Sequence, residues 1–284
     1  KWFADLYSGK FTGIVRFDCM FNTDGELKLV EANTNWPDGL LMHDITYSVL
    51  SDIPSKKHLD LFLQFFDKNN YIFILYEKGG FIDPHFLEYK KLQENWYKVW
   101  IWTFEDIEFK DSAAFYQGNK IDIVRLSMNS GRFTEQEYSL LKSADLKFVN
   151  TFDMAGLADK SLLKWIDSNM LMKTFVLNHQ TKDIIIKNKD AYVIKPTNLN
   201  EGIGVIIWVD TSQEEWNTLI EKNVDNLYLA QEYISLLPKK TSLYMDGWIV
   251  EGDFYYDFCP HLFYKDGKLI GTGQVLVRYS KNKV

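Results

Sequence analysis

Four polar residues near the start of the chain have the spacing that a β-hairpin imposes. Arg16 and Asp18 are two positions apart, as are Glu31 and Asn33, and alternate residues of a strand share a face. The stretches 12–21 and 26–33 read as two strands joined through Asn22-Thr23-Asp24-Gly25, since Asp-Gly between β-rich runs is a strong hairpin signal. With the turn centred between Thr23 and Asp24, Arg16 lies opposite Glu31 and the four groups converge. Two carboxylates and an amide oxygen are hard donors suited to Mg²⁺, which takes one or two carboxylates together with phosphate oxygens. Phe17, Cys19, Val30 and Ala32 between them are apolar, so the strands are expected to be buried. Spacing alone also permits a cross-strand Arg16–Glu31 pair with Asp18 and Asn33 in solvent.

Two further segments carry polar groups in apolar settings. A strand at 191–195 ends in Lys195-Pro196 and is followed by a loop with Gly202 and Gly204. An ammonium and free backbone amides beside a glycine loop suit a polyphosphate. No Gly-Lys-Ser/Thr follows, so this is not a Walker loop, and an ordinary strand-to-loop junction reads the same way. In Leu229-Ala230-Gln231-Glu232-Tyr233-Ile234 an apolar strand is interrupted by Gln231 and Glu232. They could meet a base or ribose in a slot, or simply mark the polar face of an edge strand. The histidines have no metal-ligand spacing, and no Gly-x-Ser-x-Gly elbow is present. Trp96, Trp100 and Trp102 with Tyr97 suggest a stacking platform but read better as core.

Composition narrows the function further. The chain has 284 residues, 32 Lys and Arg against 39 Asp and Glu, and a net charge of −7, the wrong sign for broad neutralisation of a nucleic-acid backbone. Hydrophobic residues at 46% and charged residues at 25% are globular values. Cys19 and Cys259 are the only cysteines, too few for a disulfide framework, and are read as buried free thiols. No stretch has the roughly 18–20 apolar residues of a membrane helix, and the first residues do not read as a signal peptide. A cytoplasmic protein with no nucleic-acid or membrane partner is expected.

The elements that must position these groups follow from periodicity. After the hairpin, a helix is expected over 40–50. From 59 to 150, helices at 58–67, 84–96 and 134–143 alternate with strands at 71–76, 98–103, 113–116, 121–125 and 146–149, the pattern of a layered α/β unit. Without a glycine fingerprint after its first strand, this Rossmann-type unit is not expected to bind a dinucleotide. Beyond it come a helix at 159–167 capped by Asp159, strands at 184–187, 191–195, 205–209 and 227–234, and a helix at 212–223. Three short tail strands follow at 248–251, 254–259 and 261–264, then a turn at Lys265-Asp266-Gly267 and a strand at 274–279.

In this order the segments resemble the circularly permuted ATP-grasp ligases, including glutathionylspermidine synthase-like proteins. The resemblance rests on Arg16-Phe17-Asp18, Glu31-Ala32-Asn33, Ile121 to Arg125, Val149-Asn150, Asp159-Lys160-Ser161, Val193 to Pro196, Gly202-x-Gly204 and Gln231 to Ile234. It implies an α/β fold with α+β ATP-grasp lobes, circularly permuted, around a Rossmann-like pre-ATP-grasp domain. Residues 1–54 would be the displaced metal-binding part of the C-lobe, 55–150 the Rossmann-like domain, 151–209 the N-lobe and 210–284 the remaining C-lobe. It further implies a ligase that uses ATP and Mg²⁺, forms an acyl phosphate, and joins a small-molecule or peptide carboxylate to an amine (or thiol) acceptor. A catalytically inactive ATP-binding protein, or a subunit of a larger assembly, is the alternative.

By the same resemblance, Asp18, Glu31 and Asn33 would hold Mg²⁺, and Arg16 would face the γ-phosphate or acyl phosphate as the catalytic cation. Lys160 and Lys195 would bind phosphates, and Gly202 and Gly204 would belong to a lid over the triphosphate. The backbone of Gln231, Glu232, Tyr233 and Ile234 would hold adenine. The family often has an arginine in the tail where this chain has Phe258 to Phe263, leaving His261 or Arg278 as substitutes. The acceptor rim is expected at 35–39, at 125–129 and in the tail.

Overall fold

The computed structural model describes residues 11–281 except 35–36, 38–39, 52–55, 77–82, 128–132, 152–153, 155–157, 166–167, 198, 200–201 and 246. The chain opens with strands β1 (Gly13–Phe21) and β2 (Leu27–Asn33), helices α1 (Met42–Ser51) and α2 (Lys57–Leu63), then β3 (Tyr71–Tyr76), α3 (Asp83–Glu94) and β4 (Lys98–Trp102). A small meander of β5 (Glu108–Lys110), β6 (Ala113–Tyr116) and β7 (Asn119–Lys120) leads to β8 (Ile123–Ser127), α4 (Glu135–Ser143) and β9 (Lys147–Val149). A 3₁₀ turn at Lys160–Trp165 precedes β10 (Thr174–Val176), α5 (Lys182–Lys187), β11 (Tyr192–Pro196), β12 (Ile206–Ile207), α6 (Gln213–Asn223) and β13 (Tyr228–Glu232). The chain closes with β14 (Lys239–Met245), β15 (Trp248–Lys265) and β16 (Lys268–Ser280).

These elements divide into two compact units. The first holds Lys1–Arg16, Asn33–Leu157 and Pro260–Leu276, and the second Phe17–Ala32, Ala158–Cys259 and Val277–Val284. One sheet has the order β14-β15-β1-β2, with β16 also paired to β15. Its long strands contribute residues to both units.

In the first unit, β4-β3-β8-β9 form a wholly parallel sheet. Ile72 to Leu75 are fully buried, as expected of a central parallel strand covered on both faces. The pleat sorts them: Ile72 and Ile74 join a core with Phe62, Phe65, Phe66 and Leu92, while Phe73 and Leu75 join one with Tyr116, Ile121 and Leu141. Helix α4 is started by a capping box in which Thr134 and Glu137 satisfy each other's backbone N–H, worth about 1 kcal/mol. Asp44 of α1 accepts from the backbone N–H groups of His58 and Leu59 at 3.2 and 2.9 Å, supplying the first turn of α2 with acceptors. Burial alone would raise the Asp44 pKa, but these bonds and the His58 ring hold it below its ordinary value.

Asn150, fully buried at the end of β9, joins three parts of this unit. Its side-chain amide donates to the carbonyls of Ile14 and Thr34, both at 2.8 Å. Its oxygen accepts from the Ile14 N–H at 3.1 Å and from the Arg125 guanidinium at 3.3 Å. Asn150 adopts φ +59°, a left-handed conformation that asparagine tolerates better than most residues. A Cβ on Gly13 would lie 2.9 Å from the Asn150 backbone nitrogen, so only glycine lets β1 pass so close. Arg125, also fully buried, pairs with Glu88 at 3.3 Å. Arg125, expected at the rim of an acceptor site, is held by Glu88 and Asn150, and 35–36, 38–39 and 128–129 lie outside the described residues.

In the second unit, β10-β13-β11-β12 form an antiparallel sheet. β13 lies inside it between β10 and β11, so the edge-strand reading of 229–234 does not hold. Helix α6, capped by Ser212 and Glu215, buries Trp216 and Ile220 against Ile185, Ile194 and Ala230.

Four other expectations are corrected. Residues 184–187 form helix rather than strand, because Asn178 accepts from the N–H groups of Gln180 and Thr181 and turns the chain just before α5. The indole of Trp216 then donates to the Ile185 carbonyl at 3.3 Å, and tertiary packing overrides the β-propensity of the isoleucine run. The segment after Asp159 winds as a 3₁₀ turn rather than an α-helix, although Asp159 does accept from the Ser161 N–H at 2.8 Å. Only Ile206–Ile207 of the 205–209 strand pair. The three tail strands are one strand, β15, which pairs with β14 straight through Gly252 and also with β1 and β16. β10 and β14 were not expected. Of the tryptophans, Trp100 stacks on Tyr71 in the core, while Trp96 and Trp102 are exposed.

Replacing Asn150 by Ala strands buried backbone groups of Ile14 and Thr34, and each such group costs about 1–3 kcal/mol. Urea unfolding of Asn150→Ala is expected to show a loss of about 3 kcal/mol or more, whereas an exposed control such as Asn69→Ala should change stability by less than about 1 kcal/mol.

Candidate functional site

The second unit gathers charged side chains from segments far apart in sequence. Lys195 projects from β11, and its Nζ donates to Gln231 Oε1 on neighbouring β13 at 2.8 Å. Gln231, almost fully buried, donates in turn to the Val30 carbonyl of β2 at 3.3 Å. Next to Val30, the Glu31 carboxylate lies 3.3 Å from Lys160 Nζ. Lys160 opens the 3₁₀ turn, donates through Nζ to the Leu199 carbonyl at 2.8 Å, and is anchored by its backbone N–H to the Thr197 carbonyl at 3.1 Å. Residues 30–31, 160, 195 and 231 thereby meet.

The electrostatics follow from that meeting. Burial pushes the Lys195 pKa down to about 8, opposed by Glu31 and reinforced by the positive Lys160. Two ammonium groups beside one carboxylate form a local field that favours a polyanion, although the whole chain is acidic.

A second cluster involves the other carboxylate of the hairpin. Asp18, on β1 and only 4% exposed, accepts from Arg278 Nη2 at 2.9 Å. The Arg278 Nε lies 3.0 Å from both oxygens of Asp257 on β15, and Nη2 also bonds Asp257. The Asp257 bonds, together with the nearby Asp18 charge, outweigh partial burial and raise the Arg278 pKa above its ordinary value. Cys19, the next residue to Asp18, is buried, and its thiol is pushed up to about 11 by burial first and then by Asp18 and Asp257. Both cysteines are buried and outside any disulfide, and Cys259 Sγ lies 3.5 Å from Asp257 Oδ1.

The remaining site residues fall as follows. Arg16 and Asn33 belong to the first unit; each lies two positions along its strand from Asp18 or Glu31. Gly202 and Gly204 form a turn with φ of +71° and +74°, and a Cβ on Gly204 would approach the Tyr228 hydroxyl and Pro196 at 3.2 and 3.3 Å. Residues 198, 200 and 201 of the expected lid lie outside the described residues. Glu232 uses its N–H and carboxylate on Lys173, and the Tyr233 N–H donates to the Ala191 carbonyl, so these two donors serve the fold. Ile234 follows β13, half-buried.

Asp18 and Glu31 stand on neighbouring strands β1 and β2. Both are hard oxygen donors of the kind Mg²⁺ takes. Among the described residues no three His, Cys, Asp or Glu side chains form a metal-holding group, and none of the helices is long and apolar enough to cross a membrane. Of the two substitutes for a tail arginine, His261 lies in the first unit, where its buried ring meets His58 at 5.3 Å, while Arg278 reaches Asp18. Asp257 was missed. The available signal was a carboxylate set between the aromatic residues Tyr256 and Phe258.

No protein-family model and no curated protein matches the chain. Among solved structures it is similar to a glutathione synthetase-like effector from Globodera pallida, with a TM-score of 0.59 and 13% identity over 95% of this chain and 73% of that one. It is also similar to a gamma-glutamylcysteine synthetase-like protein from Methylobacillus flagellatus, with a TM-score of 0.53 and 10% identity over 100% of this chain and 79% of that one. Its mixed sheets and helices fit the α/β fold of these two proteins.

Proposed function

We infer that the chain is an ATP- and Mg²⁺-dependent ligase that joins a carboxylate to an amine or thiol through an acyl phosphate. The observation that carries this reading is the meeting of Lys160, Lys195 and Glu31 in one unit, from three distant parts of the chain. The fold it shares with proteins named for glutathione and γ-glutamylcysteine synthesis supports the same chemistry. The order of the segments supports a circularly permuted, glutathionylspermidine synthase-like arrangement, with the carboxylates of the hairpin preceding the lysines in sequence.

In this reading Lys160 and Lys195 bind the phosphates of ATP, and the Gln231 bond holds the Lys195 ammonium in place. The turn at Gly202 and Gly204 lets a lid backbone approach the phosphates closely. The segment from Gln231 to Ile234 borders the adenine. Asp18, Glu31 and Asn33 would hold Mg²⁺, which would offset the charge of the transferring group. Arg16 stabilises the γ-phosphate or acyl phosphate. The acid's carboxylate attacks the γ-phosphorus and releases ADP, and the acceptor then displaces phosphate from the acyl carbon. No covalent protein nucleophile is needed, because positioning and fixed charge supply the rate.

A screen for ADP formation with Mg·ATP and panels of amino acids, peptides and polyamines tests the reading. ADP formation that requires an acid is expected, and Glu31→Gln is expected to lower it by about 100-fold or more with folding retained. Nucleotide binding without turnover across a broad panel would instead leave a binding protein.

A second outcome follows from Lys195. Phosphate favours its charged form, and the free protein loses that charge as pH rises through about 8. ATP affinity is therefore expected to fall about tenfold between pH 7 and pH 9. Calorimetric titration of Lys195→Met should show weaker binding with that pH dependence removed.

A further inference from the structure

Arg278 approaches the Asp18 and Asp257 pair from a different environment than theirs. The side chains of Asp18 and Asp257 are 5% and 11% exposed, whereas that of Arg278 is 46% exposed. The carboxylates are held on short stems within the paired strands β1 and β15, while the guanidinium sits on a long, flexible stem with solvent beside it. Of the three groups, the arginine is the one that can withdraw without opening the sheet. In its present position Nη2 is bonded to Asp18 Oδ2 at 2.9 Å, and a metal ion cannot take that oxygen at an inner-sphere distance of about 2.1 Å while the guanidinium remains. A carboxylate bonded to a guanidinium gains a charge-assisted bond that an incoming cation must replace.

We propose that Arg278 is a counter-ion latch on Asp18: it occupies the carboxylate when no nucleotide is bound and withdraws when the metal–nucleotide complex arrives. This rests on the reading of Asp18 as a metal ligand. Asp257 is the positioning residue of the latch, since it receives the Nε bond and a share of Nη2 and so fixes the plane of the guanidinium over Asp18. The latch keeps free metal off Asp18, couples metal entry to nucleotide entry, and neutralises a nearly buried carboxylate that would otherwise be costly. A lysine could not serve equally, because one ammonium lacks the planar fork that reaches two carboxylates at once.

Binding of Mn²⁺ alone, followed by the electron paramagnetic resonance signal of the free ion, tests the latch without turnover. In nucleotide-free protein, Arg278→Gln is expected to bind Mn²⁺ about tenfold more tightly than the unaltered chain, and Arg278→Lys to fall between them. With a non-hydrolysable ATP analogue present, the three proteins should agree within about threefold, since the latch is then already withdrawn. Tightening in Arg278→Gln with no change in Arg278→Lys would assign the effect to net charge and overturn the contact latch. Unchanged Mn²⁺ affinity in both variants, with Asp18→Asn weakening it, would overturn the latch and leave the metal-ligand reading standing. No effect of Asp18→Asn in either state would remove the metal-ligand reading and the latch with it. Should Arg278→Gln fail to fold, the Lys variant carries the comparison by itself.

Discussion

The first unit is organised around one side-chain amide. Asn150 satisfies both backbone groups of Ile14 and the carbonyl of Thr34 while also accepting from buried Arg125. An amide offers two donors and two acceptor sites, and four bonds use that capacity without leaving a buried group stranded. The same residue must turn left-handed and tolerate a glycine backbone against its own nitrogen. These demands exclude most residue types and tie the beginning of β1 to the parallel sheet through β8 and β9.

The second unit is organised by charge. Buried ammonium groups are unfavourable unless an anion, a dipole or deprotonation compensates them. Lys195 receives all three in part: Glu31 nearby, the Gln231 amide oxygen, and a pKa lowered to about 8. Arg278, Asp18 and Asp257 answer the opposite problem, carboxylates out of water, with a guanidinium.

Local pattern was enough to read much of the architecture. The hairpin, the parallel strands β3, β4, β8 and β9, and the capped helices α4 and α6 depend on turn chemistry, apolar periodicity and capping boxes within a few residues of one another. What escaped depends on contacts made elsewhere. The isoleucine run 184–186 is helical because of the Asn178 turn and the Trp216 face. The long continuity of β15 depends on its partners. At the candidate site, the polar positions of β1, β2, β11 and β13 were visible as interruptions in apolar strands. Asp257 was missed, and the burial of Arg125 was not foreseen, because a charge's burial and its partners are properties of the assembled sheets.

The thiol beside Asp18 carries one more consequence. With its pKa near 11, roughly one Cys19 side chain in ten thousand is ionised at pH 7, and thiolate is the reactive form. Electrophiles and disulfide reagents therefore meet an almost inert sulfur. Any loosening of β1 that admits water would return the thiol toward its ordinary acidity, so alkylation at this sulfur reports opening of the strand.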